Sequence, residues 1–271
     1  MKAASRESLA SATESLDSNL AAQAGVAVST MTGMELFEVS QVLGDDRELR
    51  GAIIDESAST ESRKKLVNDL FGAKVSPATL QVLEQIASSK WSSAREMVSG
   101  LVALSRRALM RGAESEGQLG QVEDELFRLS RILDREGELT QLLSDRAAEP
   151  ARKRKLLADV LYGKVTKFTE ALALQVIDRP EHNPIDDIAN LAAEAAQLQG
   201  RTVAHVVSAG ELNEGQQAVL AEKLGKIYGR AMSIHSEVDT SLLGGMTIRV
   251  GDEVIDGSTA GKIERLRTAL K

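Results

Sequence analysis

Apolar residues recur at helical spacing through the first two hundred positions. Leu36, Val39 and Leu43 mark one face, Leu66 and Leu70 another, and Leu80, Leu83 and Ala87 a third. The pattern returns at Leu119, Val122, Leu126, Leu129 and Leu133. Each stripe predicts an amphipathic helix that buries one side in a bundle. Thr60 or Ser62 is placed to cap the helix carrying Leu66, and Gly72 to close it. Pro150 reads as a residue of a helix's first turn or of the position just before it, where its missing N–H costs nothing. The stretch 178–184, DRPEHNP, breaks the bundle between two helices, and IANLAAEAAQLQG (188–200) predicts a helix stopped by Gly200.

Past Gly200 the period changes. RTVAHVVSA (201–209) is β-prone, and 211–229 predicts a helix with a Leu220, Leu224 and Ile227 stripe, ended by Gly229. AMSIHSEV (231–238) alternates, which predicts a strand with Met232, Ile234 and Val238 inward and Ser233, His235 and Glu237 outward. MTIRVGDEVIDGS predicts two strands joined by a tight Gly251-Asp252 turn. Asp256 or Ser258 then caps a last helix through Ile263 and Leu266 to Leu270. The fold class is α+β multidomain: two tandem helical-bundle units followed by a small α/β domain.

The helical part also repeats itself. Shifted by ninety, residues 36–70 lie on 126–160 with 11 of 35 positions identical, among them Phe37/Phe127, Ser40/Ser130, Asp55/Asp145 and Asp69/Asp159. Val39, Val42, Val67 and Leu70 face Leu129, Ile132, Leu157 and Val160, so the apolar sites stay apolar. Amphipathic periodicity explains shared leucines but not shared aspartates. An internal duplication of a helical unit is the better reading.

Composition narrows the chemistry. The 271 residues contain no cysteine, which excludes disulfides, thiolate metal sites and cysteine catalysis. Aromatic residues make up 3% and the net charge is −7, so neither stacking platforms nor a basic face for nucleic acid is offered. The acidic excess lies in the first two hundred residues, while the rest is neutral. No apolar run is long enough to span a bilayer, and the polar start MKAASRESLASATESLD has no signal-peptide core, so a cytoplasmic protein is expected.

Candidate sites are few. Gly244, Gly245, Gly251, Gly257 and Gly261 do not spell a dinucleotide fingerprint, and no GK[ST] accompanies them; tight turns account for them better. Asp239, Asp252, Glu253 and Asp256 lack the spacing of a calcium loop. His182, His205 and His235 lack metal-ligand spacing; His205 and His235 are expected on adjacent strands, on a solvated face. Trp91 reads first as a packing residue and second as a candidate partner anchor. The basic run Arg152-Lys153-Arg154-Lys155, with Glu149 and Asp159 near it, reads as a solvated helix face. No catalytic group, cofactor or metal is expected from these residues. They describe a non-catalytic assembly protein.

One segment carries a resemblance. VDTSLLGGMTIRVGDEVIDGSTAGKIERLRTAL (238–270) is similar to the C-terminal signature of the delta subunits of bacterial rotary proton-translocating ATP synthases, whose mitochondrial counterpart is the oligomycin-sensitivity-conferring protein. Leu243, Gly244, Gly245, Gly251, Asp252, Asp256, Gly257 and Ser258 match the family pattern as structural residues. RALMRGAESEGQLGQVEDELFRLSRIL resembles the opening of the family's helical bundle. The resemblance implies a family-type bundle at 105–200, a small α/β domain at 201–271 and an additional bundle copy at 1–104, as in a long actinobacterial-type form. It further implies a peripheral-stalk subunit that resists rotor torque at the cytoplasmic face of the membrane. Its bundle would bind the N-terminal helices of the alpha subunits and its C-terminal domain the b-type stalk helices, helix in groove. A helical scaffold or adaptor of an unrelated complex is the alternative.

Overall fold

Short polar side chains start many of the helices, because their oxygens accept the N–H groups that a first turn leaves free. The computed structural model describes residues 1–23, 25–145 and 147–269. Its helical part runs α1 (Ala3–Ala22), α2 (Val26–Asp45), α3 (Arg47–Ile53), α4 (Thr60–Phe71), α5 (Pro77–Ser88), α6 (Ala94–Ser115), α7 (Leu119–Arg135), α8 (Gly137–Ser144), α9 (Pro150–Leu161), α10 (Lys167–Asp178) and α11 (Pro184–Leu198). Asp46, Ser76, Ser93, Thr166 and Asn183 cap α3, α5, α6, α10 and α11. At α4 the cap is Ser59, not Thr60 or Ser62. Ser59 has the extended backbone that an N-cap needs and accepts from the Ser62 N–H at 3.1 Å, whereas Thr60 and Ser62 are already helical. Pro150 stands in the first turn of α9, as its missing N–H predicts.

The helix bounds recur at the ninety-residue shift. α4 maps onto α9 and α5 onto α10 residue for residue, and α2 and α7 end at equivalent positions. α1 falls on α6, and the start of α6 falls on that of α11, so α6 closes one series and opens the next. Residues 104 and 105 lie inside it. The bonds recur too. Ser40 Oγ donates to Phe37 O at 2.7 Å and Ser130 Oγ to Phe127 O at 2.7 Å. Asp55 and Asp145 each accept from the N–H two residues on, at 2.9 and 2.8 Å. Asp55 and Asp145 are thus turn formers, whereas Asp69 and Asp159 lie inside α4 and α9.

The chain divides into two compact units, 1–122 with 145–180, and 123–144 with 181–271. In the first, α2 lies along α6 around Leu36, Val39, Leu43, Leu101, Leu104 and Ala108, with Val67 and Ile86 joining from α4 and α5. Gly33 permits the approach: a Cβ there would meet Leu109 Cγ at 2.8 Å and Ser105 O at 2.9 Å. α1 is tied to α6 by Asp17, whose carboxylate takes Arg107 Nη2 at 2.5 Å and Arg111 Nη2 at 2.6 Å. α10 packs on α6 where Ser105 Oγ bonds Gln175 Oε1 at 3.1 Å and Gly112 leaves room for the Phe168 ring.

The second unit contains β1 (Thr202–Ser208), α12 (Glu214–Tyr228), β2 (Met232–Val238), β3 (Met246–Val250), β4 (Glu253–Asp256) and α13 (Thr259–Ala269). The sheet order is β2-β1-β3-β4, with β1 and β2 parallel through the α12 crossover and the other neighbours antiparallel. Asn213 and Gln216 form a reciprocal capping box on α12, and Gly229 ends it at φ +68°. Ala204, Val206, Met232, Ile234, Ile248 and Val250 supply the apolar face, packed with Leu220 and Leu224 of α12. Val238 finishes β2 exposed rather than inward, past the end of that core.

Candidate functional site

The family-like residues at 243–258 are brought together by backbone, not by side-chain chemistry. Gly245 sits at φ +80°, and a Cβ on it would lie 2.5 Å from Gly257 O. Ala209 N–H donates to Gly245 O, Thr259 N–H to Gly244 O, and Gly257 N–H to Met246 O, so this crossing joins the end of β1, the start of β3 and the start of α13. Asp256 accepts from the Ser258 N–H at 2.8 Å, and Ser258 Oγ caps α13 by accepting from Gly261 N–H at 3.0 Å. The bonds from Ser258 hold the Asp256 carboxyl below the usual carboxylate range. Gly251 (φ +59°) and Asp252 form the two-residue turn between β3 and β4, apart from that crossing. Leu243 projects outward, 82% exposed.

The other face of the sheet holds a feature that the alternation of β2 did not announce. Ser233, His235 and Glu237, expected in solvent, are met by Glu123, Phe127 and Arg131 of α7. His235 Nε2 lies 2.9 Å from Glu123 Oε1, and both side chains are 2% exposed. Ser233 Oγ donates to the same carboxylate, and Gln199 Nε2 donates to its other oxygen at 3.2 Å. The Phe127 ring stacks on His235 at 4.2 Å between centroids, and Arg131 Nη1 pairs with Glu237 at 3.0 Å. Four residues of helix and two of strand each advance about 6 Å. Residues i, i+4 and i+8 of α7 therefore keep step with i, i+2 and i+4 of β2.

This corrects the solvated-face expectation for His235: covered by α7, it is buried. The expected strand pairing of His205 with His235 is present, with the rings edge to face at 5.7 Å. Partial burial, then His235, Arg249 and Arg131, hold His205 below the usual imidazole range. Beside the seat runs a groove of about 680 Å³ whose lining includes Arg128, Ile132, Arg135, Leu212, Ile234 and Val238.

Trp91 belongs to the core of the first unit. It is 6% exposed, packs against Gly100, and its indole N–H donates to Ile86 O at 3.0 Å. His182 lies at the α11 start, where its N–H and ring face Asp187. Arg154 of the basic run pairs with Asp178. Among the described residues no three His, Asp or Glu side chains gather as a metal would require, and no helix is long and apolar enough to cross a membrane.

Residues 106–270 match the family model described as ATP synthase delta (OSCP) subunit. Over its length the chain is similar to proteins called ATP synthase subunit delta. That of Corynebacterium aurimucosum is 68% identical over 270 residues, that of Corynebacterium diphtheriae 64% over 272, and that of Corynebacterium jeikeium 51% over 271, each covering 100% of both chains. A chain of the Toxoplasma gondii mitochondrial ATP synthase hexamer aligns with a TM-score of 0.38 and 19% identity, over 61% of this chain and 94% of that one.

Proposed function

We propose, from the premise that this chain belongs to the ATP synthase delta (OSCP) subunit family, how a non-catalytic peripheral-stalk subunit of this length works. It links the alpha/beta head to the b-type stalk helices and holds the head against rotor torque during ATP synthesis. The observation that carries this is the full-length likeness at 68% identity, which leaves no segment of the chain without a counterpart in an ATP synthase subunit.

The division of labour follows the family order. The bundle at 105–200 takes the N-terminal helices of the alpha subunits, and the α/β domain at 201–271 takes the b-type chains. Residues 1–104 are an additional bundle copy that arose by duplication; the matching helix bounds and the matching Ser40 and Ser130 bonds support this. In that role Leu243, Gly244, Gly245, Gly251, Asp252, Asp256, Gly257 and Ser258 shape the α/β domain, and neither nucleotide nor metal is involved. The subunit works at the cytoplasmic face of the cell membrane as a peripheral component of the complex.

Affinity capture with the full-length chain tests this. Alpha and b-type subunits are expected to be retained together, and loss of both in a preparation that remains folded refutes the reading. Peptides of the alpha N-terminus, titrated against the full-length chain carrying surface substitutions in one copy or the other, assign the contact.

A further inference from the structure

A carboxylate and an imidazole excluded from water form a site whose energy depends on how many protons it holds. Glu123 and His235 are such a pair. With one titratable proton between them the pair is neutral. With none it carries a net negative charge, and with two a net positive one. Net charge in a site closed to solvent is costly, and a carboxylate that takes up a proton exchanges part of its acceptor capacity for an O–H donor.

We propose that the Glu123–His235 pair is a proton-dependent latch. The α7 segment 123–135 stays seated on the sheet while the pair holds one titratable proton, and loosens when that proton is lost or a second is added. Three observations tie the polar face of α7 to the pair. The Glu123 carboxylate is met by the donors of Ser233, Gln199 and His235, and no Lys or Arg among the described residues pairs with it. The Phe127 ring, four residues along α7, stacks on His235 itself. Four residues further, Arg131 pairs with Glu237, and part of that ion pair faces solvent.

The other charges around His235 do not replace the pair. From β1 comes His205, from β2 Glu237 and from β3 Arg249, the last two on the same face of the sheet. From α7 come Arg131, committed to Glu237 and Asp134, and Asp124, within 4.0 Å of Arg128. α11 packs on β1 and carries Asp186, Asp187 and Glu194; Asp187 is engaged by the Glu181 and His182 N–H groups. α12 lies against the opposite, apolar face of β2. Partial burial first, then His235, Arg249 and Arg131, make His205 take up a proton less readily than a free imidazole.

Hydrogen exchange on the full-length chain between about pH 5 and pH 9, corrected for intrinsic exchange rates, tests the latch. Protection of the α7 amides is expected to pass through a maximum and to fall on either side by up to about tenfold per pH unit, the dependence of a one-proton equilibrium. E123Q and H235Q are expected to flatten that profile while leaving α2 and α6 unchanged. A wild-type profile reproduced in both variants overturns the proposal. Should the variants not fold, the wild-type imidazole signals decide, with H205A for assignment. The His235 ring must titrate over the range in which α7 protection changes, and a ring signal constant over that range overturns the proposal equally.

Discussion

Leu109 of α6 occupies the space that a methyl group on Gly33 of α2 would need. Its Cγ lies 2.8 Å from the position of such a Cβ, and the carbonyl of Ser105 closes the other side at 2.9 Å. Gly33→Ala gains up to about 1 kcal/mol of helix propensity, but the overpacking costs about 1–3 kcal/mol. A net loss is expected, read as a lower urea midpoint. A raised midpoint would mean that α2 and α6 sit farther apart.

Asp17 links stability to acid. Burial opposes its charge, yet the hydrogen bonds and charges of Arg107 and Arg111 prevail and lower its pKa from 3.8 to about 2. A carboxyl depressed on folding stabilises above its unfolded pKa and loses that contribution as pH falls through the folded one. The first unit should therefore lose about 1–2 kcal/mol between about pH 4 and pH 2. Asp17→Asn should lose a similar amount at pH 7 and show a shallower acid limb. Unfolding followed by Trp91 fluorescence reads both.

Gly245 and Gly251 both have positive φ, but only one is crowded. At Gly251 nothing lies within 4 Å of a new Cβ, while at Gly245 the Gly257 backbone does. Gly251→Ala is expected to cost about 1 kcal/mol from backbone strain alone, and Gly245→Ala about 2 kcal/mol or more. Calorimetry of the two variants checks the order. Equal losses would place the crowding elsewhere.

Ser40 and Ser130 predict a matched pair. Each hydroxyl is engaged with a phenylalanine carbonyl three residues back, in a water-poor setting. Ser40→Ala and Ser130→Ala should each cost about 1 kcal/mol. Hydrogen exchange of the flanking amides should show the first loss in α2 and the second in α7.

Much of this was legible in the sequence. Helical period located the bundle, the shared aspartates revealed the repeat, and Gly251-Asp252 marked the hairpin, because each of these signals is local. The seat of α7 was not legible. Glu123 and His235 stand 112 positions apart, and a polar residue alternating with apolar ones looks the same whether water or a buried carboxylate faces it. The position of Glu123 in the repeat shows the difference in physical terms. Its equivalent in the first series is Gly33, which admits another helix. A glutamate at that place needs donors, and Ser233, His235 and Gln199 supply them. Trp91 was similarly ambiguous, since a lone indole serves a core or a surface equally well until its N–H partner is known.

The double membership of α6 has a consequence for anyone who would take the chain apart. Because one continuous rod of 22 residues ends the first helical series and begins the second, no loop separates them. Cutting ahead of α6 strips α2 of its floor, and cutting behind it leaves the later helices without their opening member. The two series therefore run through eleven helices rather than twelve, and they meet at a splice rather than a joint.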